Sequence, residues 1–286
     1  MVRTARGFSL VELILVVILL GIVSTLSLGF LRNGAEMYAQ SADRERLLSQ
    51  SRFVIERLTR ELRNAVPNSV RISTDGLCVE FIPLKVAGRY AELPGVTTNP
   101  ALTMQFFSGQ SSSVTNFSSL IAEGDFVTVY PTLPEHYYSK TRTLELKAAS
   151  AVDQSPGQNI TLEFNSLTPT GFAQTSPNQR FFVWSSPVRY CLLAQSGSQT
   201  PSSYNIYRFS NYGIMSQELN TSDLDRASGS LMATDIVLVP GLRPFSDEDD
   251  GGALKRSSVV HVVLSFSSNF ADDLFFNQEI HIPNVP

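Results

Sequence analysis

A nearly unbroken apolar run from Phe8 to Leu31, preceded by the short basic segment Met1–Gly7, constrains this chain more than any other feature. Only Glu12 and the small residues Ser9, Gly21, Ser24, Thr25, Ser27 and Gly29 interrupt it. At about 1.5 Å per residue, such a run crosses a bilayer as a helix. Arg3 and Arg6 precede it and no compact basic cluster follows, so the positive-inside bias places the N-terminus in the cytoplasm. A secretory signal would carry its small-residue cleavage site after the apolar run. Leu26–Phe30 offers no A-x-A pattern, whereas Gly7 stands before the run, so the apolar segment is expected to stay on the mature protein.

Glu12 needs a physical reason. A carboxylate at the centre of a membrane helix costs roughly 2.5–3.5 kcal/mol on insertion scales, and less near an interface. It either finds a positive partner or snorkels to the headgroups, which its shallow depth allows.

The string Gly7-Phe8-Ser9-Leu10-Val11-Glu12-Leu13 and the apolar run after it resemble the prepilin signature of type IV pilins and type II secretion pseudopilins. That resemblance implies a leader, residues 1–7, removed by a membrane-embedded prepilin peptidase cutting between Gly7 and Phe8. It further implies N-methylation of Phe8 by the same enzyme. For Glu12 it supplies a partner, the N-terminal ammonium of Phe8 on a neighbouring subunit, which would set register during assembly. Two charges unfavourable alone in lipid become tolerable as a pair. The implied partners are the peptidase, other minor and major pilins, the inner-membrane assembly platform and the membrane itself through Phe8–Leu31. The implied location is the inner membrane, with a periplasmic head, and then a pilus or pseudopilus.

No strong helix breaker stands at Leu31; Arg32-Asn33-Gly34 marks a membrane exit and a weak point. Beyond it Leu47, Val54 or Ile55, Leu58, Leu62 and Ala65 recur mostly at three- and four-residue spacing, an amphipathic stripe. Arg52, Glu56, Arg57, Arg60 and Arg63 lie largely off it, with Glu56 placed to pair with Arg60. Pro67 predicts the end, giving one helix from about Phe8 to Val66, divided into a membrane half (8–31) and an amphipathic half (32–66). The weak helix formers from Gly21 to Gly29 have two readings. In the resembling pilins this stretch loosens as subunits pack; alternatively, the small residues allow close helix–helix approach.

After Pro67 the period shortens. Strands are predicted at Leu77–Ile82, Phe126–Tyr130, Thr143–Lys147, Ile160–Phe164, Phe181–Trp184, Val188–Leu193, Tyr204–Phe209, Ile236–Val239 and Ser258–Phe266, the last a central strand. Stretches 95–119, 150–158 and 195–203 are rich in Ser, Gly, Pro and Asn and read as loops. The expected fold is α+β: a long N-terminal helix packed on an antiparallel head at 67–286, with extra strands or a second lobe. Several head segments (Leu77–Pro83, Pro187–Cys191, Tyr207–Phe209 with Gly213-Ile214, and Gln278–Pro286) resemble the J-type pseudopilins and the PilW-like and MshO-like minor pilins. The implied role is initiation or tip assembly of a filament. The retained Glu12 departs from the tip-most pseudopilin type. Cys78 and Cys191 belong to no CxxC pair; in an exported domain they read as a disulfide, or else as two buried thiols.

Composition excludes several classes. With 22 basic against 26 acidic residues the net charge is −4, which is not the footprint of a nucleic-acid binder. His136, His261 and His281 stand apart from any ligand spacing, and no GxSxG elbow or phosphate loop occurs. Asp247, Asp249 and Gly251 resemble part of a calcium loop without its spacing or terminal glutamate. The expectation is therefore no enzyme, no metal and no cofactor. The competing expectations are a J-type pseudopilin of type II secretion, and a tip adhesin using aromatics such as Tyr137-Tyr138 or Phe181–Trp184.

Overall fold

The computed structural model describes residues 8–90, 93, 101–105, 121–149, 159–164, 172, 174–195, 203–215, 225–247, 258–267 and 273–282. Helix α1 (Leu10–Arg63) is one unbroken α-helix of 54 residues, about 81 Å long. It runs through Gly21–Gly29 without a break, and Gly34 does not weaken it as expected. It ends before Val66, because the next residues are drawn off by strand pairing. Ala65 bridges Pro83, and the Val66 N–H donates to the Ile82 carbonyl at 2.8 Å. Pro67 then bars re-entry.

Strands β1 (Arg71–Ile72) and β2 (Cys78–Phe81) follow, then β3 (Val86–Arg89), β4 (Ala101–Gln105) and β5 (Phe126–Val129). A short helix α2 (Glu135–Tyr138) precedes β6 (Thr143–Ala149), β7 (Asn159–Phe164), β8 (Arg180–Trp184) and β9 (Val188–Ala194). The chain continues through β10 (Tyr204–Ser210), β11 (Ser230–Val237), β12 (Phe245–Asp247), β13 (Ser258–Phe266) and β14 (Leu274–Ile282). The first sheet runs β1-β2-β9-β10-β11-β13-β12, with β14 on the other edge of β13. The second runs β3-β8-β5-β6-β7-β4. All of these pairings are antiparallel. The whole second sheet is inserted between β2 and β9, which are neighbours in the first. The additional length of the head has therefore gone into a separate sheet.

Each sheet has its own core. Leu47, Ser51, Val54, Leu58 and Leu62 form the buried stripe of α1. Leu47, Val54, Leu58 and Leu62 pack on Phe81, Tyr190, Leu192, Ile206, Val260 and Val262 of the first sheet. Burying each of these aliphatic side chains contributes roughly 1.5–3 kcal/mol. Val127, Val129, Leu144, Leu146, Phe181 and Val183 fill the second. Between the two cores lie Val66, Ile82, Tyr137, Tyr138, Phe182 and Trp184. Buried hydroxyl and indole groups there need partners. Tyr137 and Tyr138 donate to the Pro67 and Ser69 carbonyls at 2.7 and 3.0 Å, and Trp184 donates to Thr128 at 2.8 Å.

Several expectations need correction. The stretch 95–119 is not all loop, since β4 lies within it and pairs β7. The strand expected at Ile236–Val239 begins at Ser230 and stops at Val237. Strands β1, β3, β12 and β14 and helix α2 were not anticipated. In place of the expected Glu56–Arg60 pair, Arg57 pairs with Glu61 at 2.9 Å and Arg208 joins Glu61 at 3.0 Å; α1 also carries Arg32–Glu36 and Asp43–Arg46.

Candidate functional site

The N-terminal half of α1 touches nothing in the head. From Leu10 to Leu31 its side chains are exposed, among them Leu10 at 74%, Phe30 at 78% and Leu31 at 65%. This is a helix long and apolar enough to cross a membrane. In water so large a continuous apolar surface would be untenable, so it must be covered by lipid or by other protein.

At its tip, Ser9 is the N-cap, extended at φ −80° and ψ 142°, and the Leu13 N–H donates to the Ser9 carbonyl at 3.1 Å. Glu12 lies in the first turn, where the helix dipole favours a carboxylate. The Ser9-x-x-Glu12 spacing is that of a capping box, a local signal the sequence reading passed over. The Ser9 side chain nevertheless makes no capping hydrogen bond. Among the described residues Glu12 has no hydrogen-bond or ion-pair partner. Phe8, 73% exposed, precedes the cap. Among the described residues the tip thus carries a carboxylate without a partner on a largely apolar surface. Gly7, the expected cleavage residue, lies outside the described residues.

In the head, Cys78 and Cys191 are joined: their Cα atoms are 4.2 Å apart and face each other in the β2–β9 register. The Leu192 N–H donates to the Leu77 carbonyl at 2.9 Å beside them. Cys78 and Cys191 therefore occupy a non-hydrogen-bonded pair, the closely spaced position of an antiparallel ladder. Two residues further on, Glu80 is buried with Arg189, each 2% exposed, their charged groups 3.0 Å apart. Arg71 also pairs with Glu80, and its guanidinium lies 3.6 Å from the centre of the Tyr138 ring. The Tyr212 hydroxyl donates to Glu80 at 2.5 Å. Burial pushes the Tyr212 hydroxyl well above its ordinary range, and the Glu80 charge adds to this. The cluster contains two guanidiniums, one carboxylate and phenols that stay protonated. It has no nucleophile–base pair, and it ties the β1–β2 edge to β9.

The other singled-out residues find structural places. His136 opens α2 with its Nδ1 accepting from the Thr132 and Leu133 N–H groups at 3.0 and 3.2 Å. Burial, then the nearby Arg142 charge, hold this imidazole below its usual range. His261 lies on β13 with its Nδ1 3.7 Å from Glu279 on β14. His281 is on the exposed face of β14. Tyr137 and Trp184 are fully buried and Tyr138 and Phe182 nearly so, which removes both aromatic clusters as ligand platforms. Asp247 ends β12, and the rest of the calcium-like run lies outside the described residues. Among the described residues, no cluster of three His, Cys, Asp or Glu side chains could hold a metal. Compared with known proteins, the chain matches no family model, no curated protein and no solved structure.

Proposed function

We propose that this chain is a subunit of a type IV pilus or of a related pseudopilus, anchored in the inner membrane by α1 with its head in the periplasm until assembly. More narrowly, it acts as a minor pilin of the MshO-like group, initiating or capping the filament through helix packing and head contacts with other minor pilins. The observation that carries the reading is Glu12, a carboxylate without a partner among the described residues, in the first turn of an exposed apolar helix. An isolated carboxylate on a lipid-facing helix is costly, and pairing with the Phe8 ammonium of an adjacent subunit offsets that cost. Removal of residues 1–7 at Gly7 would create this ammonium next to the N-cap.

The test is made in the native bacterium. With Glu12→Ala or Glu12→Val, the mature N-terminus read by mass spectrometry stays at Phe8 while incorporation into filaments falls. Normal piliation in that variant would refute the register role. Substituting Gly7 blocks cleavage, and an unchanged mature mass would refute the processing site.

A further inference from the structure

Strand β14 is the outer edge of the first sheet, and among the described residues its only strand partner is β13. The two pair through nine consecutive positions without a bulge. In an antiparallel strand every second residue turns its N–H and C=O away from the neighbour, so such an edge is a template for one more strand. Folded proteins blunt long edges with lysine, proline, bulges or very short strands. The sequence of β14, Leu-Phe-Phe-Asn-Gln-Glu-Ile-His-Ile, contains no lysine, proline or bulge; Glu279 is its one formal charge, and α1 lies beside the edge without pairing it.

Beside this edge, α1 overhangs the sheet. The space between them is a groove of about 610 Å3. Its floor is Ile55, Thr59 and Phe276. The Thr59 hydroxyl oxygen is buried there without a hydrogen-bond partner. Its rim carries Arg52, Arg60 and Arg63 against the single acid Glu56, all four exposed. Among the described residues these three arginines make no ion pair. An edge strand beside a helix, with apolar floor and charged rim, is the arrangement that captures extended peptides by strand addition.

We infer that the β14–α1 groove binds an extended acidic segment of another protein, which adds as a strand to β14. The ladder supplies main-chain hydrogen bonds. One apolar side chain of the segment fills the space over Ile55, Thr59 and Phe276. Carboxylates two positions to either side of it, on the same face of the added strand, meet Arg52, Arg60 and Arg63. Self-pairing of two β14 edges is disfavoured, since it would set two arginine rims close together. The inference stands on the packed half of α1 and the head, and does not require the filament reading.

The test uses full-length protein in detergent micelles and a fluorescein-labelled threonine peptide, matched in length to β14, with one central valine and a glutamate two positions to either side of it. The same peptide with lysine in place of both glutamates serves as its opposite. The expected result is binding of the glutamate peptide by anisotropy, with amide exchange slowed in β14 and along the 52–64 face of α1. The exposed pair R60E/R63E should weaken that binding by about tenfold, the worth of two surface ion pairs. The same variant should come to prefer the lysine peptide. The inference is overturned by an absence of binding, by binding that leaves β14 exchange unchanged, or by equal binding of both peptides to the unsubstituted protein. Concentration-dependent protection of β14 without peptide would overturn it too, assigning the edge to a second copy.

Discussion

Opening the Cys78–Cys191 bridge, by reduction or by the pair C78A/C191A, probes how the inserted second sheet is held on the first. The cysteines are 113 residues apart in sequence, and all of β3 to β8 lies between them. If the two sheets unfold together, the bridge shortens the unfolded chain by a loop of that length. The chain-entropy relation then gives about 4.8 kcal/mol of stabilisation at 25 °C. A different value follows if the second sheet stays folded while the first opens. The flexible part of the loop is then only Cys78 to Val86 and Trp184 to Cys191, about 15 residues, and the stabilisation falls to about 3 kcal/mol. For a domain of this size the larger figure lowers the melting temperature by about 10–15 °C. Urea unfolding separates the two cases. Trp184 is the only tryptophan and is buried where the sheets meet. Its fluorescence reports the junction while far-ultraviolet circular dichroism reports α1. Coincident transitions with the larger loss mean one cooperative unit, and separate transitions with the smaller loss mean two. A loss below about 1 kcal/mol with intact cooperativity would refute the loop argument altogether.

The buried charges give a second expectation. Glu80→Gln leaves Arg71 and Arg189 without their carboxylate, at a cost of about 3–5 kcal/mol measured by urea denaturation; a variant as stable as the parent would show that Glu80 does not neutralise them. Leu58→Ala opens a cavity under α1 where the side chain is fully buried, and the loss should be about 2–5 kcal/mol. A near-neutral result there would mean that α1 does not pack on the first sheet in solution. The last concerns pH. His136 is held below its ordinary pKa in the folded state, so as the pH falls below about 6.5 the unfolded chain takes up the proton first. Its contribution is complete above that pH and is lost as the pH falls through the folded-state pKa. Protonation would also turn an N–H toward the Thr132 and Leu133 donors. Melting temperatures between pH 8 and 5 should therefore fall less steeply in His136→Gln; parallel curves would remove His136 as the titrating group.

Much of the architecture was legible in the chain. The apolar run and the spacing of Leu47, Val54, Leu58 and Leu62 announce α1, because a 3.6-residue period and an uncharged stretch leave few alternatives. Strands such as β9 and β13 were legible for a related reason: buried on most of their length, they read as continuous apolar segments. Strand β14 was not, since its burial alternates on a free edge and Asn277, Gln278 and Glu279 dilute its apolar residues. Strand β4 lies in a stretch of turn-forming composition, and its pairing with β7 is a non-local event no window reveals.

Glu12 and the exposed half of α1 belong to what the sequence by itself determined, because a carboxylate in an apolar run is a local fact about solvation. The pairing of Cys78 with Cys191 was left open between a bridge and two buried thiols. The tertiary structure decided it, by setting β2 beside β9 in a register that brings those two residues together across a whole inserted sheet. The groove at β14 likewise exists only once α1 lies beside a free edge, since it is made of residues more than two hundred positions apart. Local chemistry is written along the chain, whereas pairing partners and clefts depend on which distant segments the packed core brings into contact.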